Sequence, residues 1–323
     1  MSIESSGHPS IAGIPLVLGG NVFGWTANGD DGRAVLDAFY EAGGRMVDTA
    51  DVYSAWVPGH VGGESESFIG EWLESRGVRS DMRIHTKTGM LSRKTGVYIG
   101  GPGDPELYEP AEVMVSLDAS LERLRTDYLD LYYAHRDYPD LPIEQIVESF
   151  DGAMKSGKVR EIGASNISAE RLSAALDAAD ALKSTPFTVL QNQYNLVARD
   201  DYGPDLQRLC TSRGIAMLPF FGLASGYLTG KYRKPEDFEQ GNRAHRVKDF
   251  DEAGRPVLAE MDRVAAETGA SLPAVALAWL VRQPGIPAPI ASARTVEQLR
   301  QSLEFTRLDL TDDQLNRLSA AGS

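Results

Sequence analysis

The feature that most constrains this chain is a repeat of pattern rather than of sequence. Short apolar runs alternate with helix-length amphipathic stretches, and each pair takes ~30–40 residues, the size of a strand-plus-helix unit. Eight such pairs follow one another. The apolar runs are residues 16–20, 46–49, 83–86, 129–134, 161–164, 189–191, 216–220 and 288–291. The helical patterns between and after them are 31–42, 66–75, 110–124, 142–155, 168–182, 205–213, 255–268 with 272–282, and 296–305. Ser168 is placed to cap its helix, and Gly157, Gly214 and Gly269 follow helical runs where a left-handed residue is wanted. Eight units without a compositional break predict an α/β fold in one domain spanning 1–323, a (β/α)8 TIM barrel. An extra helix, 312–321, follows Thr311 as a second capping residue. Two polar segments, 91–109 and 233–250, are too long to be plain connections. Both follow strand runs and so belong to the C-terminal face of the barrel, as lids or as surface decoration.

Composition narrows the function. The 323 residues include 32 Lys and Arg against 46 Asp and Glu, a formal charge of −14, which disfavours nucleic acid and anionic membranes as partners while leaving room for a local basic pocket. The longest apolar stretch, 272–281, is about half of the ~20 residues a spanning helix needs. Residues 1–10 show no secretory pattern, and the one cysteine, Cys210, has no partner for an internal disulfide. The expectation is a cytoplasmic protein, its oligomeric state left open.

Several familiar signatures fail. Gly152, Gly157 and Lys158 mimic a phosphate-binding loop, but Val159 stands where a hydroxyl is required and a helix precedes them. Gly101 and Gly103 begin a dinucleotide fingerprint that Glu106 breaks. The five histidines form no metal-binding pair, and no serine-nucleophile elbow exists, so no metal is expected.

What remains is a set of polar residues at the ends of successive strand runs: Asp48 with Tyr53 five residues on, Lys87, and His135. Singly, Asp48 could cap a turn, Lys87 pair with it, Tyr53 pack in the core and His135 sit buried in a hydrogen bond. Together, on strand ends that converge in a barrel, they form a proton-transfer site. An ammonium beside a phenol favours the phenolate, a carboxylate fixes the ammonium, and an imidazole can orient a substrate carbonyl. No protein nucleophile is evident, so hydride from a reduced nicotinamide completes the chemistry.

In that order and on those strand ends, Asp48, Tyr53, Lys87 and His135 resemble the catalytic tetrad of the aldo-keto reductase superfamily. The likeness extends through Ser65-Glu66, Gly163 to Asn166, Gln191 to Asn195, Leu228 to Tyr232 and Ala293 to Thr295. It implies that Ser165, Asn166 and Gln191 hold the nicotinamide carboxamide, neutral groups suited to an amide. It implies further that Phe220 stacks on the nicotinamide ring in a place often held by Tyr, and that Leu223 and Ser225 lie where the chain crosses the pyrophosphate. Arg294 falls where a basic group meets the 2′-phosphate, which favours NADP over NAD, or else is a solvated arginine opening the last barrel helix; Gln298 falls at an adenosine contact. Phe221, Ser292 and Ser302 depart from the residues usual at their positions, and residues 1–14 match poorly the hairpin that closes the barrel bottom in this family, a hairpin still expected here.

The resemblance implies reduction of an aldehyde or ketone by NADPH, with Tyr53 as general acid. Two alternatives stay open: a cofactor-binding regulatory protein with little turnover, similar to potassium-channel β-subunits, and an alcohol dehydrogenase with Tyr53 as base. Phe23, Trp25, Trp56 and Phe221 come from loops or strand ends near the mouth, to wall a small-molecule carbonyl substrate or to pack beneath loops.

Overall fold

A computed structural model of the chain describes residues 7–91, 105–239 and 247–322. Eight strands, β1 (Val17–Gly19), β2 (Met46–Asp48), β3 (Arg83–Thr88), β4 (Leu131–Ala134), β5 (Ile162–Ser165), β6 (Val189–Gln191), β7 (Ala216–Met217) and β8 (Ile290–Ala291), form one sheet in the order β7-β6-β5-β4-β3-β2-β1-β8. Every adjacent pair is parallel. The two ends of that order meet, because Ile290 N–H donates to Pro219 O at 2.9 Å and Met217 N–H to Gly285 O at 2.8 Å. The sheet thereby closes as a (β/α)8 barrel. Strands β7 and β8 are shorter than their apolar runs predict. Pro219 and Pro289 lie within those runs, and a residue without an N–H cannot donate to a ladder.

The crossovers are helical: α1 (Gly29–Glu41), α2 (Glu64–Arg76), α3 (Pro110–Leu124), α4 (Ile143–Lys155), α5 (Ala169–Leu182), α6 (Pro204–Arg213), then α7 (Asp251–Thr268) and α8 (Leu272–Leu280) before β8. Beyond β8 lie α9 (Val296–Leu303) and α10 (Asp312–Ala321). Ser168 caps α5 by accepting from Arg171 N–H, and Thr311 with Gln314 forms a capping box on α10. No helix among the described residues is long and apolar enough to cross a membrane. Of the two long segments, residues 92–104 and 240–246 lie outside the described residues.

Period-two alternation sorts each strand into an outer face packed on helices and an inner face. Val17, Met46, Leu131, Tyr133, Val189, Leu218 and Ile290 fill the interior, while Leu18, Val47, Ile84, Tyr132 and Leu190 join the helix-facing core. The Tyr133 ring needs space from its neighbour on β5, where a Cβ on Gly163 would fall 2.6 Å from it. The same parity continues upward. Asp48 is two residues beyond Met46, His135 two beyond Tyr133, Gln191 two beyond Val189 and Phe220 two beyond Leu218, so each arrives at the C-terminal mouth of the barrel.

The opposite mouth is closed by residues 8–11. Ile11 joins the interior cluster, and Glu161, just before β5, accepts from Ser10 N–H at 3.1 Å, Ser10 Oγ at 2.5 Å and Thr188 Oγ1 at 2.7 Å. Its other contact is His8 Nδ1 at 2.7 Å. His85, inside the barrel, places Nε2 2.8 Å from Ser10 O. Within the described residues 7–14 the chain forms a turn whose polar groups are taken up by barrel side chains, with an isolated bridge from Gly13 to Gly44 and Ile14 N–H donating to Gly43 O; the expected hairpin over 1–14 falls in part outside the described residues. Residues 1–6 lie outside the described residues.

Burial would raise the Glu161 carboxyl, but the hydrogen bonds from His8, Ser10 and Thr188 outweigh it and hold the group below the usual glutamate value of 4.5. A depressed carboxyl stabilises the fold above its unfolded value and ceases to do so as pH falls through its folded one. Glu161→Gln is expected to cost about 2 kcal/mol at pH 7, with the deficit shrinking as pH falls below about 4, measured by urea denaturation at both ends.

Candidate active site

The site begins where β2 runs out. Beyond Asp48 the chain keeps its ladder to β3 for three residues, with Thr49 N–H donating to His85 O and Asp51 N–H to Lys87 O, before turning at Ala50–Tyr53. That turn sets Tyr53 above Lys87. The Lys87 ammonium is fully buried and donates to Asp48 Oδ2 at 2.7 Å, Thr49 O at 2.7 Å and Tyr53 Oη at 2.9 Å. An ammonium carries three N–H groups, and all three have partners here. Burial lowers the Lys87 pKa, and the Asp48 carboxylate, by charge and hydrogen bond, works against that loss. Asp48 is held from its other side by Gln191 Nε2, 2.9 Å from Oδ1.

His135 closes the group, its ring 6.0 Å from that of Tyr53 at 69°. Its backbone N–H donates to Thr88 O, and its carbonyl accepts from Asn166 Nδ2 at 2.9 Å. Burial, and then the nearby Lys87 charge, push its pKa well below the usual histidine value. A neutral imidazole with one N–H to offer sits beside a phenol backed by an ammonium. Such a group can polarise a carbonyl oxygen and hand it a proton.

The structure brings the four strand-end residues together, and Gln191 joins them as the anchor of Asp48. Ser165 is paired in register with Gln191, and its Oγ accepts from Asn166 Nδ2 at 3.0 Å, so three neutral polar side chains cluster at the ends of β5 and β6. Phe220 packs on top of the interior cluster with its ring partly exposed. After it the chain holds Phe221, Ala224 and Ser225 at φ values of 54°, 47° and 55°. Left-handed residues other than glycine cost about 1 kcal/mol each and gather where a backbone grips a ligand. Leu223 accepts from Gly226 and Leu228 N–H within this tight segment. Arg294 is exposed, with no ion pair among the described residues, just before α9. Gln298 turns its Oε1 back to accept from Arg294 N–H, which makes it a helix-start support as well as a candidate contact.

The aromatic wall divides. Trp56, 38% exposed, lies 6.1 Å from Tyr53 and 5.6 Å from Trp25, so both tryptophans border the mouth. Phe23 does not: it is fully buried and stacks on Phe68 of α2 at 5.2 Å. Phe221 sits edge-on to Phe220. On the His135 side a cavity of about 770 Å³ is lined by Met90, Arg136, Asp137, Pro139, Asn166 and Arg171 among others. Sequence reasoning missed two parts of the site. The Thr49 carbonyl is backbone and carries no sequence signal, whereas Arg136 stood next to His135 and could have been read with it.

A family model described as the aldo/keto reductase family matches residues 15–322. The chain belongs to that family. It is 33% identical over 322 residues to a norsolorinic acid reductase of Emericella nidulans, covering 94% of this chain and 78% of that protein. It is 30% identical to an aryl-alcohol dehydrogenase [NADP(+)] of Phanerodontia chrysosporium, covering 88% and 74%, and 31% identical to an aldo-keto reductase of Strobilurus tenacellus, covering 92% and 83%. This aldo/keto reductase is therefore an oxidoreductase of a family that acts on small-molecule carbonyl substrates.

Removing one member of a buried ion pair strands the other. Lys87→Met is expected to cost about 3 kcal/mol in urea denaturation at pH 7, and adding Asp48→Asn to it is expected to recover part of that loss.

Proposed function

We propose that this aldo/keto reductase reduces an aromatic aldehyde or ketone with NADPH, Tyr53 donating the proton. The observation that carries the reading is the three-way contact of Lys87 with Asp48, Thr49 and Tyr53 beside a neutral His135. The residues present fit a nicotinamide dinucleotide phosphate. Ser165, Asn166 and Gln191 offer uncharged donors and acceptors for a carboxamide, Phe220 offers a ring face, and the strained 221–225 segment a place for the backbone to meet a pyrophosphate. The exposed Arg294 guanidinium, at the start of a helix, suits a phosphate monoester by charge, fork geometry and helix dipole together.

When bound, the reduced nicotinamide supplies a hydride for the carbonyl carbon. The protein does the rest. His135 holds the carbonyl oxygen in line with Tyr53, and the phenol proton passes to that oxygen as negative charge develops on it. The Lys87 ammonium stabilises the phenolate left behind, and Asp48, steadied by Gln191, keeps Lys87 charged and in place. The alcohol then leaves, and the same path run backward oxidises an aryl alcohol, the activity in the name of the Phanerodontia chrysosporium relative. The aromatic preference rests on Trp25 and Trp56, whose edge-to-face pair borders the mouth, and on the likeness to the aryl-alcohol dehydrogenase of Phanerodontia chrysosporium.

Oxidation of NADPH at 340 nm with 4-nitrobenzaldehyde tests the reading. Tyr53→Phe is expected to lower kcat by about 10³-fold while binding NADPH as the parent does, read from tryptophan fluorescence. Retained turnover in that variant would overturn the assignment of Tyr53, and cofactor binding without turnover in the parent would favour the regulatory alternative. Arg294→Met is expected to weaken NADPH roughly tenfold or more and to leave NADH unchanged.

A further inference from the structure

The loop that carries Tyr53 and Trp56 runs from the end of β2 to the start of α2 and is fastened at both ends. At its start, Asp51 is buried, with Oδ2 accepting from Thr88 Oγ1 at 2.8 Å and its N–H donating to Lys87 O at 3.2 Å. Both partners belong to β3, the strand that bears Lys87. At its end, Gly63 has φ 86° and lies so close to Arg123 that a Cβ would fall 2.4 Å from the arginine side chain. Arg123 in turn donates from Nε to Glu66 Oε2 at 2.6 Å, and Glu66 also accepts from Thr86 Oγ1. A buried Glu66 from α2 and a partly buried Arg123 from α3 thus lie under the loop, tied to β3 through Thr86 and Thr88.

We propose that Asp51 is a positioning residue for Tyr53, clamping the tyrosine-bearing loop to the strand of Lys87, with the Glu66–Arg123 pair as its charged surroundings. The inference rests on the assignment of Tyr53 and Lys87 made above. The titratable and charged groups around Asp51 are Glu66 from α2, Arg123 from α3, Lys87 from β3, Tyr132 from β4 and Tyr108 from the turn before α3. Asp51 Oδ1 has no hydrogen-bond partner among the described residues. Burial, then the Glu66 charge, push this carboxyl up to about 7 against the pull of Thr88 and Arg123. It therefore changes charge in the neutral range, within the electrostatic reach of Lys87.

A raised carboxyl weakens the fold as pH rises from its unfolded value of 3.8 to its folded one of about 7, and no further above that. A neutral isostere escapes the penalty. Asp51→Asn keeps an acceptor for Thr88 but loses the charge that strengthens the bond, so it is expected to be more stable than the parent at pH 8, by a smaller margin at pH 5, and yet slower, with kcat for 4-nitrobenzaldehyde lowered about tenfold at pH 8 and the KM for NADPH unchanged. The parent is expected to show an inflection in kcat near pH 7, and Asp51→Asn to follow its low-pH branch throughout. Thr88→Val removes the clamp without altering the carboxyl count and is expected to lower kcat alone, while Thr88→Ser restores it. An Asp51→Asn enzyme with parental kcat and the same inflection would overturn the proposal, as would a loss of rate matched by a loss of folded protein. Tyr53→Phe in the same assay separates the two readings: if that variant turns over, the site assignment has failed, and if it is silent while Asp51→Asn is parental, only the positioning inference has failed.

Discussion

A lysine ammonium with every N–H committed inside a barrel is the contact on which this structure turns. Withdrawing such a charge from water costs several kcal/mol, and the return comes only if each donor finds an acceptor and a counter-charge lies in contact. Lys87 meets both conditions through Asp48, the Thr49 carbonyl and Tyr53. Each demand reaches outward. Asp48 needs a second partner and has Gln191 from four strands away; Thr49 must turn its carbonyl down, which the ladder to His85 enforces; Tyr53 must stay above the ammonium, which its loop secures.

The two mouths of the barrel resolve the same difficulty differently. At the N-terminal mouth Glu161 is surrounded by donors from His8, Ser10 and Thr188. At the C-terminal mouth the groups are held but face an opening bordered by Trp25, Trp56 and a cavity beside Arg136. The upper mouth combines held charges with an opening, as the long upper connections of this fold allow.

Much of this was legible in the sequence because two periodicities carried it. The 3.6-residue pattern located α3 and α10 to the residue, and their places at the ends of strand runs sent Asp48, Lys87 and His135 to one mouth, whereas Gln191 came only with the family resemblance. The limits of β7 and β8 were not legible from apolar runs alone, since proline leaves the hydrophobic pattern intact while removing a ladder donor. Phe23 stayed open between two readings for a related reason: an aromatic beside a strand end reads alike whether it lines a mouth or, as here, stacks on Phe68 beneath it. The bottom turn around Ser10 was hidden because its bonds run to Glu161 and His85, far away in sequence.

We propose that Lys87, besides its part in folding, acts on the chemical step through Tyr53 rather than on cofactor capture. The measurement that tests it most directly is single-turnover hydride transfer, followed at 340 nm by rapid mixing of the protein saturated with NADPH against 4-nitrobenzaldehyde, in the parent and in folded Lys87→Met. The account predicts that the variant binds NADPH as the parent does and transfers hydride about 10²-fold or more slowly. Parental hydride transfer in Lys87→Met would contradict it.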